Sequence, residues 1–125
     1  MSIELNHTIV HATDRDATAA FLTDILGLPD APVYGPFRVV ELGNGVSLDV
    51  VEHPGHLTPQ HYAFLVGEAE FDTIHARIVE RGLPYWADPH HHRPGAINHN
   101  DGGRGLYWSD PDGHNLEIIT VPYGG

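Results

Sequence analysis

The sequence predicts an α+β domain made of two βαβββ repeats, and three observations carry that prediction. The same order of elements (strand, helix, Gly-Leu-Pro, then strands closing in a hairpin) occurs twice along the chain. The punctuation matches: Gly27-Leu28-Pro29 corresponds to Gly82-Leu83-Pro84, and Asn6-His7 to Gln60-His61. The side-chain chemistry matches as well. Gly45-Val46-Ser47-Leu48-Asp49 aligns with Gly113-His114-Asn115-Leu116-Glu117, each carboxylate four residues after its glycine. Repeat one covers about 3–55 and repeat two about 60–122 of a single domain, 1–125.

Leu5 to Val10 has the two-residue alternation of a strand, with Leu5, His7 and Ile9 on one face. Thr13-Asp14 offers an N-cap, and Asp16 to Leu26 has helical spacing through Ala19, Ala20, Phe21 and Ile25, stopped by Gly27 and Pro29. Phe37–Leu42 and Val46–Val51 are strands joined by Gly43-Asn44-Gly45, a hairpin signal. Glu52 to Gln60 is a turn-rich linker. His61–Val66 is a strand, and Glu70–Arg81 an amphipathic helix through Phe71, Ile74, Ile78 and Val79. Pro84–Ala87 is a short strand, and Asp88–Gly105 is a polar loop long enough to suggest function. The closing hairpin joins Leu106-Tyr107-Trp108-Ser109 to Asn115–Thr120 through Asp110-Pro111-Asp112-Gly113.

Composition excludes several classes. There is no cysteine, so disulfides, thiolate metal sites and thiol nucleophiles are absent. The formal charge of −11, with arginine as the sole basic residue type, makes nucleic acid and anionic membranes poor partners. Without lysine there is no Schiff-base chemistry. No apolar run reaches membrane-span length and the N-terminus has no signal-peptide layout, so the expected location is the cytoplasm. Eleven histidines are the compositional anomaly; most are expected to be solvated loop residues, His90-His91-His92 included.

Glu117 is a carboxylate in the middle of an apolar strand, which is costly unless it is paired or metal-bound. The repeat superimposes His7 on His61 and Asp49 on Glu117, a histidine on each first strand and a carboxylate on each last. If those strands are neighbours, each pair points the same way, and two such sheets face to face would bring all four together. Imidazole and carboxylate without sulfur suit one divalent metal: Fe(II), Mn(II), Ni(II), Co(II) or Zn(II). Asp49 is either a ligand, an acceptor behind the ligands, or an exposed strand residue.

These residues together resemble the vicinal oxygen chelate superfamily, which includes glyoxalase I, methylmalonyl-CoA epimerase, fosfomycin-resistance proteins, bleomycin-binding proteins and extradiol ring-cleaving dioxygenases. The resemblance runs from Ile3 to Pro122. It implies a cupped mixed sheet around one metal and a small-molecule substrate. For a chain of two halves it also implies a homodimer in many members, in some of which each site draws on different subunits.

Within that superfamily the stretch Ile97-x-His99, then Leu106-Tyr107, Asp110-Pro111-x-Gly113 and Glu117 fits the extradiol dioxygenase signature. That match implies Fe(II) held by His7, His61 and Glu117, with His99 and Tyr107 acting beside the substrate and O2. Two departures stand against it. Val46 lies where those enzymes carry an acid-base histidine, and Asp49 lies where they tend to be apolar. Glyoxalase I and the epimerase place a fourth ligand at the latter position, so a lyase or isomerase moving a proton next to a carbonyl is the alternative. A bleomycin-type binding module without catalysis is the non-enzymatic alternative. Fosfomycin-type chemistry is disfavoured, because its anionic substrate wants lysine and arginine around the metal. Arg104, between glycines, is a candidate for a substrate carboxylate or for holding Asp101.

Overall fold

The computed structural model describes residues 2–122. The chain divides into two compact units, Met1–Thr58 and Pro59–Gly125, one for each repeat. Among the described residues, each unit carries one α-helix and one four-stranded mixed sheet.

In the first unit β1 (His7–Ala12) leads into α1 (Arg15–Leu26), followed by β2 (Val33–Tyr34), β3 (Phe37–Glu41) and β4 (Ser47–Glu52). The order across the sheet is β1-β4-β3-β2. β4 runs parallel to β1 and antiparallel to β3. β1 starts later than Leu5, which stays 66% exposed outside the strand. Val10 and Ala12 are buried with Val40, Leu48 and Val50, whereas His7, Ile9 and His11 alternate onto the open face. Asp14 caps α1, its carboxylate accepting from the Asp16 and Ala17 amides at 3.0 and 3.1 Å. The helix buries Ala19, Leu22 and Ile25; Ala20, expected on that face, is exposed. Gly27 ends the helix in the left-handed region at φ 70°, where glycine carries no Cβ penalty.

The second unit repeats the plan with β5 (His61–Leu65), α2 (Glu68–Glu80), β6 (Tyr85–Trp86), β7 (Gly105–Ser109) and β8 (Asn115–Ile119), ordered β5-β8-β7-β6. α2 begins earlier than expected because the Glu70 carboxylate reaches back to the Gly67 amide at 2.8 Å. Phe71, Ile74 and Ile78 are buried as the spacing predicts, and Val79 is 54% exposed. Trp108, Leu106, Leu116 and Ile118 are almost wholly buried.

The closing turn is held by its first residue. The Asp110 carboxylate accepts from the Asp112 and His114 amides at 2.9 and 2.8 Å, and Gly113 takes φ 85°. Burial pushes the Asp110 carboxyl up despite those two amides and the His114 charge, which pull it down. His114 is fully buried, its Nδ1 accepting from the Gln60 amide at 2.9 Å, and so ties the turn to the start of β5.

β2 is implied by the βαβββ plan but has no residues assigned to it in the sequence reading. It is two residues long and held against β3 only by the Val33–Arg38 and Tyr34–Phe37 pairs, too short to show an alternating pattern. Among the described residues, no helix is long and apolar enough to cross a membrane.

Asp14→Ala should cost about 1 kcal/mol of stability, the usual value of an N-cap. Urea melts of the two proteins at equal m-value test this; an unchanged midpoint would show that the cap contributes nothing.

Candidate functional site

The site follows from strand register. In the first unit His7 lies opposite Ser47, and Asp49 is two residues further along β4. In the second, His61 lies opposite Asn115, and Glu117 is two residues further along β8. Because side chains two apart on a strand share a face, each unit presents its histidine and its carboxylate on one side, one step apart on neighbouring parallel strands. The repeat read from the sequence is therefore a repeat of geometry.

In the second unit the pair is in contact: His61 Nε2 stands 3.1 Å from Glu117 Oε1. The opposite ring nitrogen, Nδ1, donates to the Asn115 carbonyl at 2.9 Å. A carbonyl can only accept, so in the neutral ring the proton sits on Nδ1 and Nε2 carries a lone pair. That lone pair faces a carboxylate only 4% exposed to solvent. Two acceptors this close repel unless a cation or a proton lies between them. His7 is held in the same way, its Nδ1 donating to the Asn6 carboxamide oxygen at 2.8 Å, which again leaves the lone pair on Nε2. Asp49 is held by the Ser47 hydroxyl at 2.9 Å. This nitrogen and oxygen donor set fits a divalent metal. Among the described residues no three such side chains converge, so neither pair is a complete ligand set by itself.

Tyr107 pairs across the sheet with Glu117 and stacks on the His61 ring at 5.9 Å between centroids. With Glu117, Asn98, Asn100, Asp101, Arg104 and Pro89 it lines a cavity of about 520 Å³. Trp108, the next residue, turns to the core, as alternation requires. His99 is exposed and precedes the short 3-10 turn Asn100–Gly102; it is not part of the cavity wall, whereas its buried neighbour Asn98 is. The first unit's open face holds a second cavity of about 570 Å³, lined by His7, Asp49, Ile9, Phe37, Val39 and Tyr34 among others.

Arg104 does not hold Asp101. Its guanidinium donates to Glu68 and Asp72 on α2, both at 2.8 Å, and lies 4.4 Å over the Phe71 ring. The Asp72 hydrogen bond, and then that of Glu68, raise its pKa against the opposing effect of burial. Arg104, which lines the cavity, is thus committed to two carboxylates.

The long polar loop is ordered by specific contacts. His91 stacks flat on Trp86, with centroids 3.6 Å apart, and its Nε2 meets the Asn115 side-chain oxygen at 3.0 Å. His91 takes φ 61°, a left-handed conformation costing a non-glycine residue about 1–2 kcal/mol, which the stack and hydrogen bond must offset. His90 and His92 are exposed, as solvated loop residues. Asn98, Asn115 and the built-in role of His91 were not foreseen. A lone amide in a loop gives no pattern, and three adjacent histidines look alike until one of them meets a tryptophan.

A match to the family model described as the Glyoxalase/Bleomycin resistance protein/Dioxygenase superfamily covers residues 4–118, and the chain belongs to that family. Among solved structures it is similar to one named Oxidase ChaP-H1, with 68% identity, coverage of 99% of this chain and 100% of the other, and a TM-score of 0.97. It is also similar to a glyoxalase/dioxygenase from Nostoc punctiforme, at 22% identity over 96% of this chain and 92% of the other, with a TM-score of 0.72, a likeness of fold alone. Among curated proteins it is 28% identical, over 91% of its length and 78% of the other's, to Glutathione transferase FosA of Serratia marcescens.

Asp88 anchors the loop by accepting from the His92 amide at 2.9 Å and the Arg93 amide at 2.7 Å. Burial pushes its pKa up, but those amides, the His92 charge and the His90 amide together hold it below the ordinary aspartate value. A lowered folded-state pKa gives stability that is present above the unfolded value and lost as pH falls through the folded one. The loop should therefore stay anchored through the normal carboxylate range and release below about pH 4. NMR titration of the Asp88 carboxyl and the two amides should show one shared midpoint below that of an ordinary aspartate; a midpoint at or above it would refute the anchor.

Proposed function

We propose that this chain is a divalent-metal-dependent oxygenase of the extradiol type, acting on a small aromatic molecule with neighbouring ring oxygens. The observation that supports this most is the His61–Glu117 pair, a buried carboxylate facing an imidazole lone pair whose other nitrogen is fixed by a backbone carbonyl. His7 completes the ligand set, from the same chain or from a second copy in a homodimer. Asp49 is a fourth ligand or an acceptor behind the others. Fe(II) is the favoured ion, with Mn(II), Ni(II), Co(II) and Zn(II) as substitutes. When bound, the ion supplies Lewis acidity and redox capacity.

The chain's own part is to position and to manage protons. Tyr107, beside His61 and across from Glu117, is placed to donate to a substrate oxygen or take a proton from it. His99, exposed beside that cavity's Asn98 and Asn100, remains the candidate for a second proton-handling group at the substrate. Asp101 and Glu117 line the cavity and Arg104 is spent on α2, so a neutral diol suits it better than a carboxylate-bearing one. The name of the 68%-identical structure, an oxidase, supports oxygen chemistry over the thiol transfer named for the 28%-identical relative.

A lyase or isomerase is the second reading, favoured by one observation. Asp49 occupies the same register as Glu117 and is oriented by Ser47, as a further ligand or mobile base would be. A protein that only binds and sequesters a small molecule is the third reading, and the prepared histidines disfavour it.

Protein purified without a histidine tag should take up one transition-metal ion. Glu117→Ala should weaken uptake by more than the 10–100-fold typical of residues behind the ligands. Loaded anaerobically with Fe(II), the wild type should consume O2 with catechol and more slowly with a carboxylate-bearing catechol. Metal uptake without O2 consumption, together with proton exchange next to a carbonyl, would replace the oxygenase with the second reading. No metal uptake would remove both.

A further inference from the structure

We infer that Asn98 is a substrate-binding residue, its side-chain amide donating a hydrogen bond to an oxygen of the bound molecule. This deepens the oxygenase reading and rests on it. Asn98 and Gly105 form an isolated antiparallel bridge, closed by reciprocal hydrogen bonds of 2.8 and 3.0 Å. Residues paired across such a bridge share a face, and Gly105 shares its face with Tyr107 two residues along β7. Tyr107 in turn lies opposite Glu117. Asn98 therefore belongs to the face that carries the metal-ligating carboxylate, and all three residues line the same cavity.

The amide is rigid. Asn98 is 5% exposed, its Nδ2 donates to the Ala87 carbonyl at 2.8 Å, and its Oδ1 accepts from the Asn100 amide at 3.2 Å. These partners settle which end is nitrogen, because a carbonyl cannot donate and an amide N–H does not accept. One N–H and one lone pair are left over, in a cavity whose other lining includes the Asp101 and Glu117 carboxylates. A neutral, pre-oriented donor is what an oxygen-bearing neutral ligand needs there, since holding the donor in place beforehand removes the entropy cost of ordering it.

Gly105 is part of the same device. A Cβ at that position would stand 2.9 Å from Asn98 Oδ1 and 3.0 Å from Nδ2, so the glycine is what lets the carboxamide lie across β7.

The test uses the Fe(II)-loaded chain with catechol as probe, on Asn98→Ala, Asn98→Asp and Gly105→Ala, with His99→Ala beside them. Asn98→Asp keeps the shape and loses the donor; Gly105→Ala keeps the amide and displaces it. Each of these three should raise KM for catechol by roughly tenfold, the worth of one neutral hydrogen bond, with metal uptake and thermal midpoint recorded in parallel. The Asn98 side-chain amide signals should also shift when catechol is added to the wild type. An unchanged KM in folded Asn98→Asp and Gly105→Ala, or a KM rise in His99→Ala alone, would overturn the assignment while leaving the oxygenase intact. A wild type that neither binds nor oxidises catechol would overturn the oxygenase, and Asn98's role with it.

Discussion

Glu117 is a carboxylate almost withdrawn from solvent, and the second unit is arranged around it. Removing such a charge from water costs several kcal/mol unless partners restore what hydration supplied. The nearest partner is His61, 56 residues earlier in the chain. The βαβββ path makes the first and last strands of the unit parallel neighbours, and so places that nitrogen beside that oxygen. The turn at Asp110–Gly113 then sets the register of β8 against β7, which brings Tyr107 opposite the carboxylate. His114, buried beneath the turn and bonded to the Gln60 amide, links that register back to the start of β5. A slip of one residue in β8 would turn Glu117 into the core and Leu116 out of it.

The first unit carries the same plan with its partners changed. His7 is oriented by the Asn6 side chain, where His61 uses a strand carbonyl. Asp49 is bound by Ser47, whereas Asn115, at the equivalent position, turns its side chain toward Pro89 and His91 in the long loop. The two faces also differ in lining. The first has Ile9, Phe37, Val39 and Tyr34 around its polar pair, and the second sets Pro89, Tyr107, Ile119 and Val121 beside its amides and carboxylates.

The sequence was legible where the physics is local or repeated. Gly-Leu-Pro, the Asp14 cap and the Asp110-Pro111-Asp112-Gly113 turn act within a few residues, and each forms where the sequence places it. The His–carboxylate pairing was legible because the repeat states it twice, in positions that parallel strands make adjacent. The face of β1 was only half legible, since alternation separates two faces without saying which one the helix covers. The cavity wall was not legible. His99 and Asn98 are adjacent letters in a glycine-rich loop, and only the bridge to Gly105 decides which of them faces inward. Arg104 likewise found its partners on α2, more than thirty residues away, where no motif pointed.

The histidine surplus shows how far composition underdetermines chemistry. His61 and His7 each keep an Nε2 lone pair through their Nδ1 bonds, yet His114, fully buried, uses Nδ1 as an acceptor and serves the fold. His75 lies between Phe71 and Tyr85, its pKa lowered by burial and then by Arg104, against a smaller upward pull from Asp72. His11 and His53 stack on each other at 4.5 Å, and His91 stacks on Trp86. The ring is the same in each case. What separates an open lone pair from a core acceptor is which nitrogen the backbone or a side chain holds, and for His61 and His114 strand register sets that over distances the local sequence does not encode.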